Sequence, residues 1–73
     1  MKAEERFLKI YDENSEKLLR HISLRVGNRE LAEDLLQETF MKAWRTLQED
    51  KQEIDNLRAF IYRIAGNLII DHY

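Results

Sequence analysis

Apolar residues recur at three- and four-residue steps along most of this chain, and the recurrence breaks twice. The first stretch comprises Phe7, Ile10, Tyr11, Leu18, Ile22 and Val26, with Leu8 and Leu19 widening the stripe, and predicts a helix over about 3–26. Gly27 and Asn28 end it. Glycine accepts the left-handed conformation that closes a helix, and an asparagine side chain accepts a backbone N–H at the start of the next. A second helix is predicted from Arg29 to Leu47, with Leu31, Ala32, Leu35, Leu36, Phe40, Ala43, Trp44 and Leu47 on its inner face. From Gln48 to Asn56 only Ile54 remains apolar. That segment reads as a polar loop with room for a short helical turn, and Asp55 or Asn56 is expected to cap the third helix. This last helix, about 57–73, places Leu57, Phe60, Ile61, Ile64, Ala65 and Leu68 toward a core, whereas Tyr62, Ile69, Ile70 and Tyr73 fall largely outside that stripe. So apolar a helix in so small a domain calls for further cover. The fold expected is all-α, a small bundle of three main helices.

Composition supports this reading and narrows it. Proline is absent and glycine occurs only at 27 and 66, while the remaining residues are dominated by good helix formers. Seventy-three residues make one small domain, too small for a deep catalytic cleft. Without cysteine there is neither a disulfide framework nor a thiolate zinc site, which suits a reducing compartment. The longest apolar run, Ala59 to Tyr62, falls far short of the roughly 20 residues of a membrane span, and no charged-then-apolar signal segment opens the chain. A soluble cytoplasmic domain with no membrane partner is expected.

The formal charge of −2 argues against a general nucleic-acid binder, but it is unevenly spread. Residues 29–55 carry four basic and eight acidic side chains, residues 56–73 two and one. Glu30, Asp34 and Glu38 follow one another at four-residue steps on the outer face of the second helix, flanked by Glu33, Gln37, Met41, Lys42 and Arg45. Like charges at that spacing cost a few tenths of a kcal/mol per pair. Two readings fit this ladder: a solvated face in which Lys42 answers Glu38, or a ridge that docks on a basic partner, with Gln37 and Met41 adding hydrogen bonds and adaptable apolar contact. The last helix is equally open. Tyr62, Arg63, Asn67, Ile70 and Tyr73 suit a nucleic-acid surface in which arginine holds phosphate, asparagine reads a base edge and tyrosine stacks, and they also suit plain packing against a missing neighbour.

Catalytic patterns are weak. His21 and His72 share no short metal-ligand spacing, Ser15 and Ser23 lack a nucleophile elbow, and there is no glycine-rich phosphate loop. No enzyme activity, cofactor, metal or small-molecule substrate is expected.

The order of the parts is more specific than any one of them. Ala32-Glu33-Asp34-Leu35-Leu36-Gln37-Glu38-Thr39-Phe40, then Ala43-Trp44, a polar gap, Phe60-Ile61-Tyr62-Arg63-Ile64-Ala65 and Asn67-Leu68-Ile69-Ile70-Asp71-His72-Tyr73 together resemble region 2 of an extracytoplasmic-function (ECF) factor of the sigma-70 family, over essentially the whole chain. The resemblance implies a transcription initiation factor domain that docks on RNA polymerase core and recognises and helps melt the promoter minus-ten element. On that reading Asp34, Gln37, Glu38, Met41 and Arg45 contact the coiled-coil clamp of the beta-prime subunit. The loop carrying Gln48, Glu49, Asp50, Lys51, Asp55 and Asn56 forms a pocket for a flipped base of the non-template strand, and Tyr62, Arg63, Asn67 and Ile70 support the edge of the melted duplex. An anti-sigma factor is a further partner that the family suggests.

The sequence departs from the family pattern in three places. Gly66 stands where the family often has a basic residue, no basic cluster accompanies Asp71-His72-Tyr73, and no helix-turn-helix region 4 domain is present. Residues 1–73 are therefore expected to be a region 2 domain cut from a longer chain and to bind promoter DNA only weakly alone. Two alternatives remain. One is a non-catalytic helical protein–protein interaction domain without DNA recognition. The other is a duplex-binding helix-turn-helix protein, against which the long acidic loop and apolar last helix argue.

Overall fold

Two asparagines and a glycine divide the chain into three helices, α1 (Ala3–Val26), α2 (Arg29–Asp50) and α3 (Leu57–His72), in a computed structural model that describes residues 3–50 and 56–72. Glu4 and Glu5 in the first turn of α1 and Arg25 in its last complement the helix dipole. Gly27 adopts φ +67° and its N–H donates to the Ser23 carbonyl at 2.9 Å, closing α1 in the left-handed conformation that glycine takes without steric cost. Asn28 then opens α2: its Oδ1 accepts the Leu31 N–H at 3.1 Å and its carbonyl accepts that of Ala32 at 2.9 Å. Asn56 does the same for α3, accepting the Ala59 N–H at 3.0 Å on its side chain and the Phe60 N–H at 3.1 Å on its carbonyl. Of the two caps expected, the asparagine is the one used. Asp55, like Lys51 and Tyr73, lies outside the described residues.

Each helix packs against the other two. The shared core takes Phe7, Leu18 and Ile22 from α1, Ala32, Leu35, Phe40 and Ala43 from α2, and Leu57, Ile61, Ala65, Leu68 and Ile69 from α3. An aromatic group fastens the start of α1 to the second half of α2. Phe7 meets Phe40 edge to face at 5.8 Å and lies 5.1 Å from Trp44, while Tyr11 packs edge-on to Phe40 at 4.7 Å. Such pairs contribute about 0.5–1.5 kcal/mol each beyond area burial.

Three details differ from the pattern-based reading. α2 does not stop at Leu47 but continues through Gln48 and Glu49 to Asp50. Loss of the apolar period marks where the helix leaves the core, not where it ends, because glutamine and glutamate remain good helix formers and no breaker intervenes. Ile69 is buried and Tyr62 half-buried, since α1 lies across that flank of α3 and brings the His21 ring to 5.8 Å from Tyr62. Tyr11 and Leu8, counted toward the stripe, are both more than two-fifths exposed. The core also contains two polar side chains. Thr39 Oγ1 donates to the Leu35 carbonyl at 2.7 Å and Asn14 Nδ2 to the Ile10 carbonyl at 3.1 Å, so each finds a hydrogen-bond partner within its own helix. No helix among the described residues is long and apolar enough to cross a membrane.

Candidate functional site

α2 buries one side and presents the other. Ala32, Leu35, Thr39, Phe40 and Ala43 are buried, while Asp34, Gln37, Glu38, Met41 and Arg45 are all exposed, at steps of three and four residues that align them along one outer strip. Met41 is 61% exposed. An unbranched thioether in water on an otherwise polar strip is suited to adaptable apolar contact. Since α2 runs on to Asp50, Gln48 and Glu49 fall three and four residues beyond Arg45 and extend this strip, exposed on helix and not in the expected loop. Asp50 closes the helix.

The second surface lies on α3. Arg63, Asn67 and Ile70, at four- and three-residue steps, share an exposed face, and Ile70 is 71% exposed. Tyr62 borders this face and is held on two sides, by His21 from α1 and by Arg58, whose guanidinium carbon lies 5.5 Å from the ring centroid. Arg58, not among the residues expected from the sequence, sits one turn before Tyr62, and that four-residue spacing is the signal that could have pointed to the pair. His21 comes from another helix, and nothing in the local sequence announces it. Asn56, Arg58, Ala59 and Tyr62 line a surface cavity of about 260 Å³ at the start of α3. Arg63 and Asn67 can contact phosphate and base edges, and the layered Arg58 and Tyr62 offer planar groups for stacking. Asn56 thus both caps α3 and borders this cavity. Among the described residues no cluster of three histidine, aspartate or glutamate side chains is placed to hold a metal ion.

The family model for sigma-70 region 2 matches residues 10–73, which contain both surfaces. The chain belongs to that family. Among curated relatives, this sigma-70 region 2 chain is 37% identical over 67 residues to the ECF RNA polymerase sigma factor BldN of Streptomyces coelicolor, covering 92% of this chain and 25% of the relative. It is 41% identical over 66 residues to the RNA polymerase sigma factor SigZ of Bacillus subtilis, covering 88% and 36%, and 34% identical over 62 residues to the ECF RNA polymerase sigma factor SigL of Mycobacterium tuberculosis, covering 85% and 35%. These likenesses support an ECF-type region 2 domain. The chain spans about a quarter to a third of the length of these relatives. No solved structure matches it.

Proposed function

We propose that this sigma-70 region 2 domain is a non-catalytic transcription initiation module that docks α2 on the coiled-coil clamp of RNA polymerase core and uses α3 on the non-template strand of the promoter minus-ten element. The observation that carries the reading is the outer strip of α2. Its Asp34 and Glu38, with Met41 three residues further on, face solvent while Ala32, Leu35, Thr39, Phe40 and Ala43 on the opposite side of the same helix are buried in the core. A basic coiled coil laid along the strip would relieve the mutual repulsion of Asp34 and Glu38 and cover Met41. Gln37 would add a directional hydrogen bond.

On α3, Arg63 would hold phosphate, Asn67 would read a base edge, and Tyr62 with Ile70 would support the strand where duplex gives way to single strand. Asn56, with Lys51 and Asp55 outside the described residues, would border the site of a flipped base, and Gln48, Glu49 and Asp50 would contribute to it from the end of α2. The role fits the cytoplasm. In a longer protein a separate duplex-reading domain would supply the remaining promoter contacts, and an anti-sigma factor covering the α2 strip would keep the module from polymerase.

Titration calorimetry with a purified beta-prime clamp fragment tests the docking. The chain should bind, and Gln37→Ala combined with Met41→Ala should weaken the complex at least about tenfold, since apolar and amide anchors at the centre of an interface carry much of its energy. Absence of heat with the unaltered chain, or equal affinity for the double variant, would sink the proposal.

A further inference from the structure

Beside the cavity at the start of α3 lies a second one, of about 320 Å³, between the first turns of α1 and α3. It is lined by Arg6, Lys9, Ile10 and Glu13 from α1 and by Asn56, Leu57 and Arg58, and Asn56 and Arg58 also line its neighbour. The two cavities therefore share a wall and form one continuous surface running from Tyr62 across Arg58 to Lys9. Its lining is cationic on balance. Three of its lining side chains are cationic and one is a carboxylate, in a protein whose net charge is −2. Arg58 is already steadied against the Tyr62 ring, so little further ordering is needed for its N–H groups to meet an anion.

We infer that Lys9 and Arg58 form a phosphodiester-binding cleft that carries a single strand of DNA from the α3 face onto α1. The inference rests on the proposed use of α3 by single-stranded DNA and adds to it a sequence-independent contact from a helix with no assigned nucleic-acid role. A phosphodiester fits for two reasons. The cleft is open and edged by cationic side chains, which suits a solvated phosphate better than a buried base, and it shares Arg58 with the cavity that Tyr62 lines. A strand whose base lies against Arg58 and Tyr62 would have Lys9 and Arg58, which line one cavity, available to its backbone.

The test is fluorescence anisotropy with a short labelled single-stranded DNA across a salt series starting at low ionic strength. Lys9→Gln and Arg58→Gln should each weaken binding about three- to tenfold, to a similar extent for all base sequences, and should lower the slope of log affinity against log salt by about 0.7. Lys17→Gln removes the same charge from an exposed position of α1 that lines neither cavity, and should leave affinity and slope nearly unchanged. Equal behaviour of the Lys9 and Lys17 variants would overturn the cleft. If Tyr62→Ala and Asn67→Ala abolish binding in that same experiment, the α3 reading survives and only the cleft falls, whereas no binding by the unaltered chain defeats both. A titration with inorganic phosphate alone is the remaining arm. Lys9-dependent saturation there at concentrations as low as those of the oligonucleotide would make this a free-anion site and overturn the strand path.

Discussion

Along α2, the residues that hold the fold and those proposed to meet a partner lie on opposite sides of one helix: Ala32, Leu35, Thr39, Phe40 and Ala43 inward, Asp34, Gln37, Glu38, Met41 and Arg45 outward. Along α3 the division is blurred. Leu57, Ile61, Ala65, Leu68 and Ile69 are buried, Tyr62 is half in and half out, and Ile70 next to the buried Ile69 is largely exposed. The contrast follows from chemistry. Docking on a protein surface can be done by polar side chains that leave the rest of the helix alone, whereas supporting a melted strand calls for aromatic and apolar groups that also favour the core. Binding and stability should therefore separate cleanly on α2 and be coupled on α3.

The largest expected effect comes from the inner side of α3. Ile61, 1% exposed at the meeting of the three helices, should cost about 2–5 kcal/mol when truncated to alanine, a large share of what a domain of this size has in reserve. Urea unfolding followed by circular dichroism should show the transition moved to much lower denaturant, with clamp and DNA binding falling together. A variant that kept its unfolding midpoint would show that the three-helix core is not what holds α3.

Most of this architecture was legible in the pattern of the chain, because glycine and asparagine at 27 and 28 and asparagine at 56 punctuate it with strong local chemistry. The end of α2 was not. Its last turn carries no apolar residue to mark it, so Gln48 and Glu49 read as loop although their backbone propensity is helical. Thr39 and Asn14 escaped a core list drawn from apolar residues, since a polar side chain bonded to its own helix buries at little cost. At the candidate site, the outer strip of α2 could be read from spacing alone. The environment of Tyr62 could not, because His21 reaches it through the crossing of α1, a tertiary fact with no local signature. The same crossing explains why Ile69, which falls outside the apolar stripe, is core.

Reversing charge on the outer side of α2 should show the separation directly. Asp34→Lys with Glu38→Lys should reduce affinity for the clamp fragment at least tenfold, about 1.4 kcal/mol, while altering unfolding free energy by no more than about 0.5 kcal/mol, because both side chains are exposed. Calorimetry and urea unfolding on the same preparation check the two halves. A matched loss of stability and affinity would mean that the α2 strip belongs to the fold after all.

The two capping asparagines offer a smaller and sharper comparison. Asn28 and Asn56 make equivalent bonds, at 3.1 Å and 3.0 Å, to the backbone three residues on, so replacing either with alanine should cost about 1 kcal/mol. Asn56 alone borders the cavities beside Arg58. Asn56→Ala should therefore also weaken binding of single-stranded DNA, beyond any change seen with Asn28→Ala in a salt-matched anisotropy titration. Identical binding by the two variants would confine Asn56 to its structural role.

The two glycines should respond with opposite sign. At Gly27 the backbone has φ +67°, where a Cβ is strained, so Gly27→Ala should destabilise by roughly 1–2 kcal/mol even though open space surrounds it. Gly66 lies inside α3, and an added Cβ would meet nothing within 4 Å. With neither strain nor clash, Gly66→Ala should stabilise by about 0.5–1 kcal/mol, mainly by restricting the unfolded chain, and its thermal midpoint should rise. Because the methyl would enter the open cavity bordered by His21, Arg25, Ile69 and Ile70, the same variant also probes whether that side of α3 is used. Unchanged affinity for single-stranded DNA with a higher midpoint would limit the coupling on α3 to the flank that carries Tyr62. A higher midpoint with weaker binding would extend it around the helix, and would mean that the absence of a side chain at position 66 serves the strand and not the fold.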